Sequence, residues 1–130
     1  MALQVRAIRG AITVSENTVE AMTEAVTELL DELEKRNNLK PEQIISATFS
    51  VTRDLDAIYP AAIARQRPHW DKVPLLDVQQ MYVKGSLERC VRFLIHVNLC
   101  EKQTVIHHPY LRGAKKLRPD WSDSPVSLSL

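Results

Sequence analysis

Arginines inside apolar, strand-like segments are the residues of this sequence best suited to chemistry. Arg9 lies in AIRGAIT, Arg92 lies in CVRFLIH, and Arg118 follows Leu117 before a proline. A fourth arginine, Arg65, lies near the end of a short helical segment. One such arginine is usually solvated or forms a structural ion pair. Several together fit a small dianionic ligand, because a buried guanidinium group is costly without an anionic partner and its planar fork pairs with carboxylates.

Three further polar residues fit the same kind of ligand. Asp77 and Gln80 interrupt the apolar segment LLDVQQM, and either side chain can hydrogen-bond a ligand hydroxyl group. Asp77 fits equally well as the structural ion-pair partner of an arginine. The Tyr110 phenol can donate to a carboxylate, although partly buried tyrosines are common in any core.

The sequence gives little support for other kinds of catalytic site. The sequence has three glycines and no Gly-rich phosphate loop, and it has no GxSxG or Cys-His signature for a covalent nucleophile. His107 and His108 are adjacent, so on a strand they would point to opposite faces rather than share a metal ion. We therefore expect no metal site.

The composition predicts one globular domain outside the membrane. A chain of 130 residues with 45% hydrophobic and 25% charged residues is ordinary for such a domain. The formal net charge of +1 argues against nucleic-acid binding, and no apolar segment is long enough to span a bilayer. Without an apolar signal core, and with Cys90 and Cys100 read as free thiols, the expected location is the cytoplasm.

Periodicity predicts the elements that position these side chains. Residues 4–14, 44–51, 73–81 and 90–97 have the pattern of strands, and Val91, Phe93, Ile95 and Val97 share one face of the last. A helix should start at Asn17 with a capping box to Glu20 and end near residues 37–41. A second, short helical segment should run from residue 54 to residue 66 with a break at Pro60, and residues 110–117 look strand-like.

The order βαβαββ indicates a single α+β domain with a mixed sheet. We assign residues 1–119 to this domain and residues 120–130, which contain serine and proline, to a mobile C-terminal tail.

Nearly the whole sequence resembles the AroH-type chorismate mutases. The matching segments, at matching spacing, are RAIRGAITV, the NxxE helix start, DLDAIYPAAIAR, WDKVPLLDVQQM, GSLERCVRFLIHV and YLRGAKKLRPD. The resemblance implies a homotrimeric pseudo-α/β-barrel whose active sites lie between neighbouring subunits. It also implies conversion of chorismate to prephenate, a rearrangement that needs no metal or other cofactor.

The resemblance assigns a role to each candidate residue. Arg92 and Arg9 are the catalytic pair: Arg92 meets the ether oxygen, and Arg9 binds a carboxylate with Tyr110. Ring-hydroxyl contacts come from Asp77, Gln80 and the main chain at Leu75 and Leu76. The neighbouring chain contributes an apolar wall of Tyr59 and Ala61, while Arg65, Leu117 and Arg118 line the mouth, with the tail as a lid.

Two positions depart from the family pattern. Relatives often have a glutamate where this chain has Gln80, so the contact to the substrate hydroxyl lacks a charge here. Some relatives have a lysine near the mouth where this chain has Ala62.

Two other functions share the arginine pattern. A trimeric imine or enamine deaminase also grips a carboxylate between subunits, but it is not expected to carry the IRGAIT and CVRFLIHV blocks together. A non-catalytic protein that binds an acidic metabolite would need the arginines, but it would have no reason to place one at an ether oxygen.

Overall fold

A computed structural model describes residues 2–128 of the chain. Its strands are β1 (Leu3–Thr13), β2 (Ile44–Val51), β3 (Leu75–Gln79), β4 (Cys90–Cys100), β5 (Val105–Ile106), β6 (Tyr110–Leu111) and β7 (Val126–Ser127). Its α-helices are α1 (Val19–Asn37), α2 (Pro60–Arg65) and α3 (Pro119–Ser122), and 3₁₀ turns cover Pro41–Gln43 and Arg112–Leu117. The predicted α+β class with a mixed sheet is confirmed.

The main sheet places the long strands at its centre. Within the described residues its order is β3-β2-β4-β1-β6, and β4 pairs antiparallel with both β1 and β2. The edge strands β3 and β6 run parallel to their neighbours β2 and β1. Strands β5 and β7 form a separate antiparallel pair.

Helix α1 covers one face of this sheet. Its buried stripe includes Met22, Leu29 and Leu33, which join Val91 and Phe93 of β4 in the main apolar core. The Thr18 hydroxyl caps the N-terminus by accepting from the Ala21 N–H at 3.1 Å, and Asn38 ends the helix in the left-handed conformation. The helix end predicted near residue 37 is confirmed.

The opposite face of the sheet is open in the single chain. On β4 the side chains alternate as predicted, with Val91, Phe93 and Ile95 buried and Leu94 39% exposed. Apolar side chains from β1, β3 and β4 share the open face: Leu3, Val5 and Leu76 are more than half exposed, and Val78 and Leu94 are about 40% exposed. An exposed apolar patch of this kind is typical of a protein–protein interface or a ligand-binding surface.

Three details of the sequence prediction are wrong. The cap of α1 is Thr18 and not Asn17, whose side chain instead bonds the main-chain N–H groups of Asp56 and Ala57. Residues 54–59 are turns and bends, so α2 begins only at Pro60. After Leu111 the chain forms a 3₁₀ turn rather than a strand.

The observed ends of several elements also differ from the predicted ends. Strand β3 is shorter than the predicted 73–81, and β4 continues three residues beyond the predicted end at residue 97. In the predicted tail, α3 covers Pro119–Ser122 and β7 pairs with β5. The mobility of this segment stays a prediction. No helix in residues 2–128 is both long and apolar enough to cross a membrane.

Candidate active site

A row of side chains crosses the open face of the sheet near one end of its strands. Arg92 on β4 lies opposite Ser50 of β2 on one side and opposite Ala11 of β1 on the other. Ala11 in turn pairs with Tyr110 of β6. The Ser50 hydroxyl donates to Gln80 Oε1 at 2.7 Å. Because directly opposed residues lie side by side on one face, the sheet brings residues from four strands and the end of β3 into one polar row.

Arg92 is the residue of this row with an unsatisfied group. Its Nε is buried and has no hydrogen-bond partner among the described residues. A buried N–H without a partner costs roughly 1–3 kcal/mol, and more when the group is charged. The neighbouring Cys90 thiol has a pKa raised by burial, and the charge and hydrogen bond of Arg92 only partly oppose that shift. The guanidinium group therefore has capacity for an anionic acceptor.

Arg9 is held rigidly beside Arg92. Its Nε donates to the carbonyl oxygen of Phe93 at 3.1 Å, and its main-chain N–H donates to His108 Nδ1 at 2.9 Å. The side chain is half-buried on the same face as Ala11. With Nε occupied by the protein, the terminal nitrogens present a fork of fixed orientation for a carboxylate.

The Tyr110 phenol lies among three guanidinium groups. The residue is 2% exposed, and burial raises the pKa of its hydroxyl, while the charges of Arg9, Arg118 and Arg92 act in the opposite direction. The phenol therefore stays protonated at neutral pH and can donate a hydrogen bond.

Leu117 and Arg118 close one side of this row. Leu117 packs against the small apolar cluster that contains Ala11, Cys90 and Tyr110. Arg118 pairs with Asp120 at 2.7 Å, and its guanidinium carbon lies 3.3 Å from the centre of the Trp121 ring. The Asp120 carboxylate raises the pKa of Arg118, so this residue remains a cation at the edge of the cluster. We call Arg9, Gln80, Arg92, Tyr110, Leu117 and Arg118 the arginine cluster.

The other candidate residues belong to a second place on the chain. Asp77 points to the helix-covered side of β3, where its Oδ1 accepts from the Ala61 N–H at 3.0 Å. Burial raises the pKa of this carboxyl, and the Ala61 hydrogen bond and the charge of Arg65 oppose the rise. Asp77 thus caps the first turn of α2 in the single chain. It is not a salt-bridge partner of the arginine cluster.

The surroundings of Asp77 form a cavity of about 550 Å³. Tyr59, 73% exposed, lines it together with Pro60 and Asp77. We call Tyr59, Ala61, Arg65, Leu75, Leu76 and Asp77 the α2 cluster. Its members come from α2, from the residue before it and from β3, the edge strand farthest from β6. The twelve predicted site residues therefore separate into two clusters on each chain.

Sequence reasoning missed two residues next to the arginine cluster. His108 is 6% exposed, and its ring stacks on Trp121 with centroids 4.1 Å apart and planes at 23°. Both residues contact members of the cluster, but the sequence offers no local signal for this, because the partner of His108 is 99 residues away. Across residues 2–128, no group of three or more His, Cys, Asp or Glu side chains could hold a metal ion.

Comparison with known proteins identifies the family. The profile of the family described as chorismate mutase type I matches residues 5–121. The chain belongs to this family. It is 37% identical over 120 residues to chorismate mutase AroH of Bacillus subtilis (strain 168), covering 92% of this chain and 94% of that protein. It is 44% identical over 117 residues to chorismate mutase AroH of Thermus thermophilus, covering 89% and 95%.

A solved chorismate mutase has the same fold. The chorismate mutase from Clostridium thermocellum superposes with a TM-score of 0.78 at 42% identity, covering 85% of this chain and 98% of that structure. The chorismate mutase family match contains the arginine cluster, the α2 cluster and Trp121. These comparisons favour the mutase family over the deaminases that share the arginine pattern.

Proposed function

We propose that this chain catalyses the rearrangement of chorismate to prephenate, a step in the biosynthesis of phenylalanine and tyrosine. The observation that carries the proposal is the buried, unpaired Nε of Arg92 between Ala11 and Ser50, in a row that also presents Arg9 and Tyr110. In this reaction one C–O bond breaks while one C–C bond forms within the same molecule. No proton, nucleophile or redox equivalent has to be supplied.

The first task of the site is to hold chorismate in the reactive geometry. Chorismate carries two carboxylates, and its side chain must fold over its ring. The fork of Arg9, fixed through Phe93, and the protonated Tyr110 phenol suit one carboxylate, while Arg118 at the edge suits the second. Such positioning of the reacting atoms lowers the entropic part of the barrier.

The second task is to stabilise charge in the transition state. As the C–O bond breaks, the ether oxygen gains negative charge, and Arg92 offers it a guanidinium N–H. Because the cation is already in place and partly shielded from water, it stabilises the transition state more than the ground state. This difference is what accelerates the reaction.

A complete site requires more than one copy of the chain in this proposal. The open sheet face carries Leu3, Val5 and Leu76, each more than half exposed, and association would remove them from water. A homotrimer built on this face would place the α2 cluster of one chain against the arginine cluster of the next. Asp77, Leu75 and Leu76 would then approach the ring hydroxyl, and Tyr59 and Ala61 would form the apolar wall.

The activity is tested with purified protein and chorismate. We expect loss of chorismate absorbance, followed by conversion of the product to phenylpyruvate in acid. Tight calorimetric binding of prephenate without turnover would overturn the mutase and favour a metabolite-binding protein. Turnover of an amino-acid-derived imine in place of chorismate would favour a deaminase.

The shared site is tested by mixing two inactive variants. Arg92→Ala damages the arginine cluster, and Arg65→Glu damages the exposed mouth of the α2 cluster. In a mixed assembly, the intact half of one chain meets the intact half of the other, so refolding the two together should restore part of the activity. Restoration should accompany a particle mass about three times 14.8 kDa in light scattering. A monomer with normal activity would overturn the shared site. The cytoplasmic location stays a prediction.

A further inference from the structure

His108 lies between two members of the arginine cluster without being one of them. It precedes Pro109 and the short strand β6, and its side chain is buried although it is polar. A buried imidazole in a core is usually hydrogen-bonded, and the partner reveals its role. Here the partners belong to two different segments of the site.

The first partner is the main chain of Arg9. In the parallel pair of β1 and β6, the Ala11 N–H donates to the Pro109 carbonyl at 3.0 Å. Two residues earlier, the same register would direct the Arg9 N–H to the His107 carbonyl. That carbonyl instead accepts from the Asn37 side chain at 2.9 Å. The imidazole Nδ1 takes its place and accepts from Arg9.

This hydrogen bond fixes the protonation state of the ring. An Nδ1 that accepts must be unprotonated, so the neutral ring carries its proton on Nε2. Burial, together with the nearby charges of Arg118, Arg9 and His107, lowers the pKa of His108 to about 4. At neutral pH the ring is therefore an uncharged acceptor beside two arginines.

The second partner is Trp121. The imidazole stacks on the indole at 4.1 Å between centroids, and the same indole lies 3.3 Å from the guanidinium carbon of Arg118. Trp121 also approaches Tyr110 edge-on at 6.4 Å. The buried imidazole of His108 thus links strand β1, which carries Arg9, to helix α3, whose Trp121 contacts Arg118.

We propose that His108 is a positioning residue of the substrate site, which holds Arg9 through Nδ1 and holds the Trp121–Arg118 pair through its ring face. It does not touch the substrate. The inference rests on the proposed function, because Arg9 and Arg118 are the groups that would bind the two carboxylates of chorismate. Losing either contact should loosen one carboxylate site and leave the charge at Arg92 in place.

Two substitutions separate the two contacts. In His108→Asn the amide oxygen can replace Nδ1 as the acceptor, but the ring face is lost. In His108→Phe the ring face remains, but the acceptor is lost. The neighbouring His107→Asn is the matched control, because the hydrogen bonds of His107 to Asn37 use only its main-chain N–H and carbonyl.

The measurements are steady-state kinetics with chorismate and ¹⁹F NMR of protein labelled with 5-fluorotryptophan. The chain has two tryptophans, Trp70 and Trp121, and Trp121→Phe assigns the signals. We expect His108→Phe to raise KM about tenfold with kcat within threefold, because Arg9 loses its alignment. His108→Asn should raise KM less and should shift the Trp121 resonance, while the Trp70 resonance should not shift. His107→Asn should change none of these.

Three results would overturn the positioning role. One is an unchanged KM in both His108 variants, even if their thermal stability falls, since that indicates a purely structural residue. Another is a Trp121 resonance that does not move in His108→Asn. A third is a loss of kcat alone. If the unmodified protein fails to consume chorismate, the proposed function fails, and the Trp121 resonance still decides whether His108 holds the tryptophan.

Discussion

Ser50 lies directly opposite Arg92 in the antiparallel pair of β2 and β4, and its hydroxyl turns to Gln80 Oε1, at 2.7 Å. The serine therefore holds the Gln80 side chain on the same side of the sheet as Arg92, whose Nε has no hydrogen-bond partner among the described residues. This arrangement makes Gln80 the natural neighbour of a ligand bound at Arg92. With glutamine at position 80, the arginine cluster contains three arginines and no carboxylate.

The first prediction concerns the uncharged side chain at position 80 and its contact with the substrate hydroxyl. Gln80→Glu should keep the hydrogen bond from Ser50 and should raise kcat/KM for chorismate several-fold, because a carboxylate accepts from a substrate hydroxyl more strongly than an amide does. Gln79→Glu is the matched control, since the exposed Gln79 side chain donates to the Val51 carbonyl and lies outside the row. An unchanged or lower kcat/KM in Gln80→Glu would mean that Gln80 does not face the substrate hydroxyl.

The charge on Arg92 is the second test. Arg92→Ala should lower kcat at least 10³-fold, about 4 kcal/mol of transition-state stabilisation, and should weaken substrate binding far less. Arg92→Lys should remain poor, because an ammonium group cannot reproduce the fixed N–H directions of a guanidinium group. Near-normal kcat in the lysine variant, or a large change in KM alone, would limit Arg92 to holding the ligand.

The protonation of His108 predicts how stability depends on pH. The unfolded chain binds a proton on this ring near pH 6.5, whereas the folded chain does so only near pH 4. Between these values the unfolded state carries more protons, so the free energy of unfolding rises with pH and this contribution is complete above pH 6.5. We expect wild type to lose up to about 3 kcal/mol between pH 6.5 and 4 through this group.

The same acid titration on His108→Asn isolates the effect. Asp54 and Asp120 also have lowered pKa values, so part of the acid loss is common to both proteins. Urea unfolding at several pH values should give a steeper fall for wild type than for the variant. Parallel curves would show that the ring is not held neutral in the folded protein.

The packing of Gly10 against Phe93 is a test of stability. A Cβ at position 10 would lie 2.5 Å from Phe93 Cζ, and Phe93 is 1% exposed and meets Phe49 edge-on. Because this ring has little room to move, Gly10→Ala should destabilise the fold by about 1–3 kcal/mol, measured by urea unfolding. Adding Phe93→Leu should recover part of the loss. Additive effects of the two substitutions would contradict the direct contact.

Much of the fold could be predicted because local patterns and tertiary packing agree. Strand β2 is predicted at the bounds observed, and the alternation of β4 gives its two faces correctly. The errors arise where a hydrogen bond to a residue distant in sequence determines the local conformation. Asn17 and Thr18 can both cap a helix, and the loop at Asp56 takes Asn17 away. Residues 112–117 leave the strand because Arg112 adopts a φ of +54° and the Gly113 N–H bonds the Thr13 hydroxyl.

The candidate site was predictable in type but not in arrangement. Arginines in apolar strands indicate anion binding from the sequence alone, and the structure brings Arg9, Arg92 and Arg118 around Tyr110. Nothing in the local pattern shows that Asp77 lies on the other side of the sheet, because which face is covered depends on where α1 and α2 pack. His108 was missed for the same reason, since both of its contacts are tertiary.

The separation of the arginine cluster from the α2 cluster has a kinetic consequence. If each chain supplies half of two different sites, a dissociated chain has no working site at all. Specific activity should then fall on dilution and recover on concentration, with a delay set by reassembly rather than by catalysis. A cell that lowers the amount of this protein would lose activity faster than it loses chains.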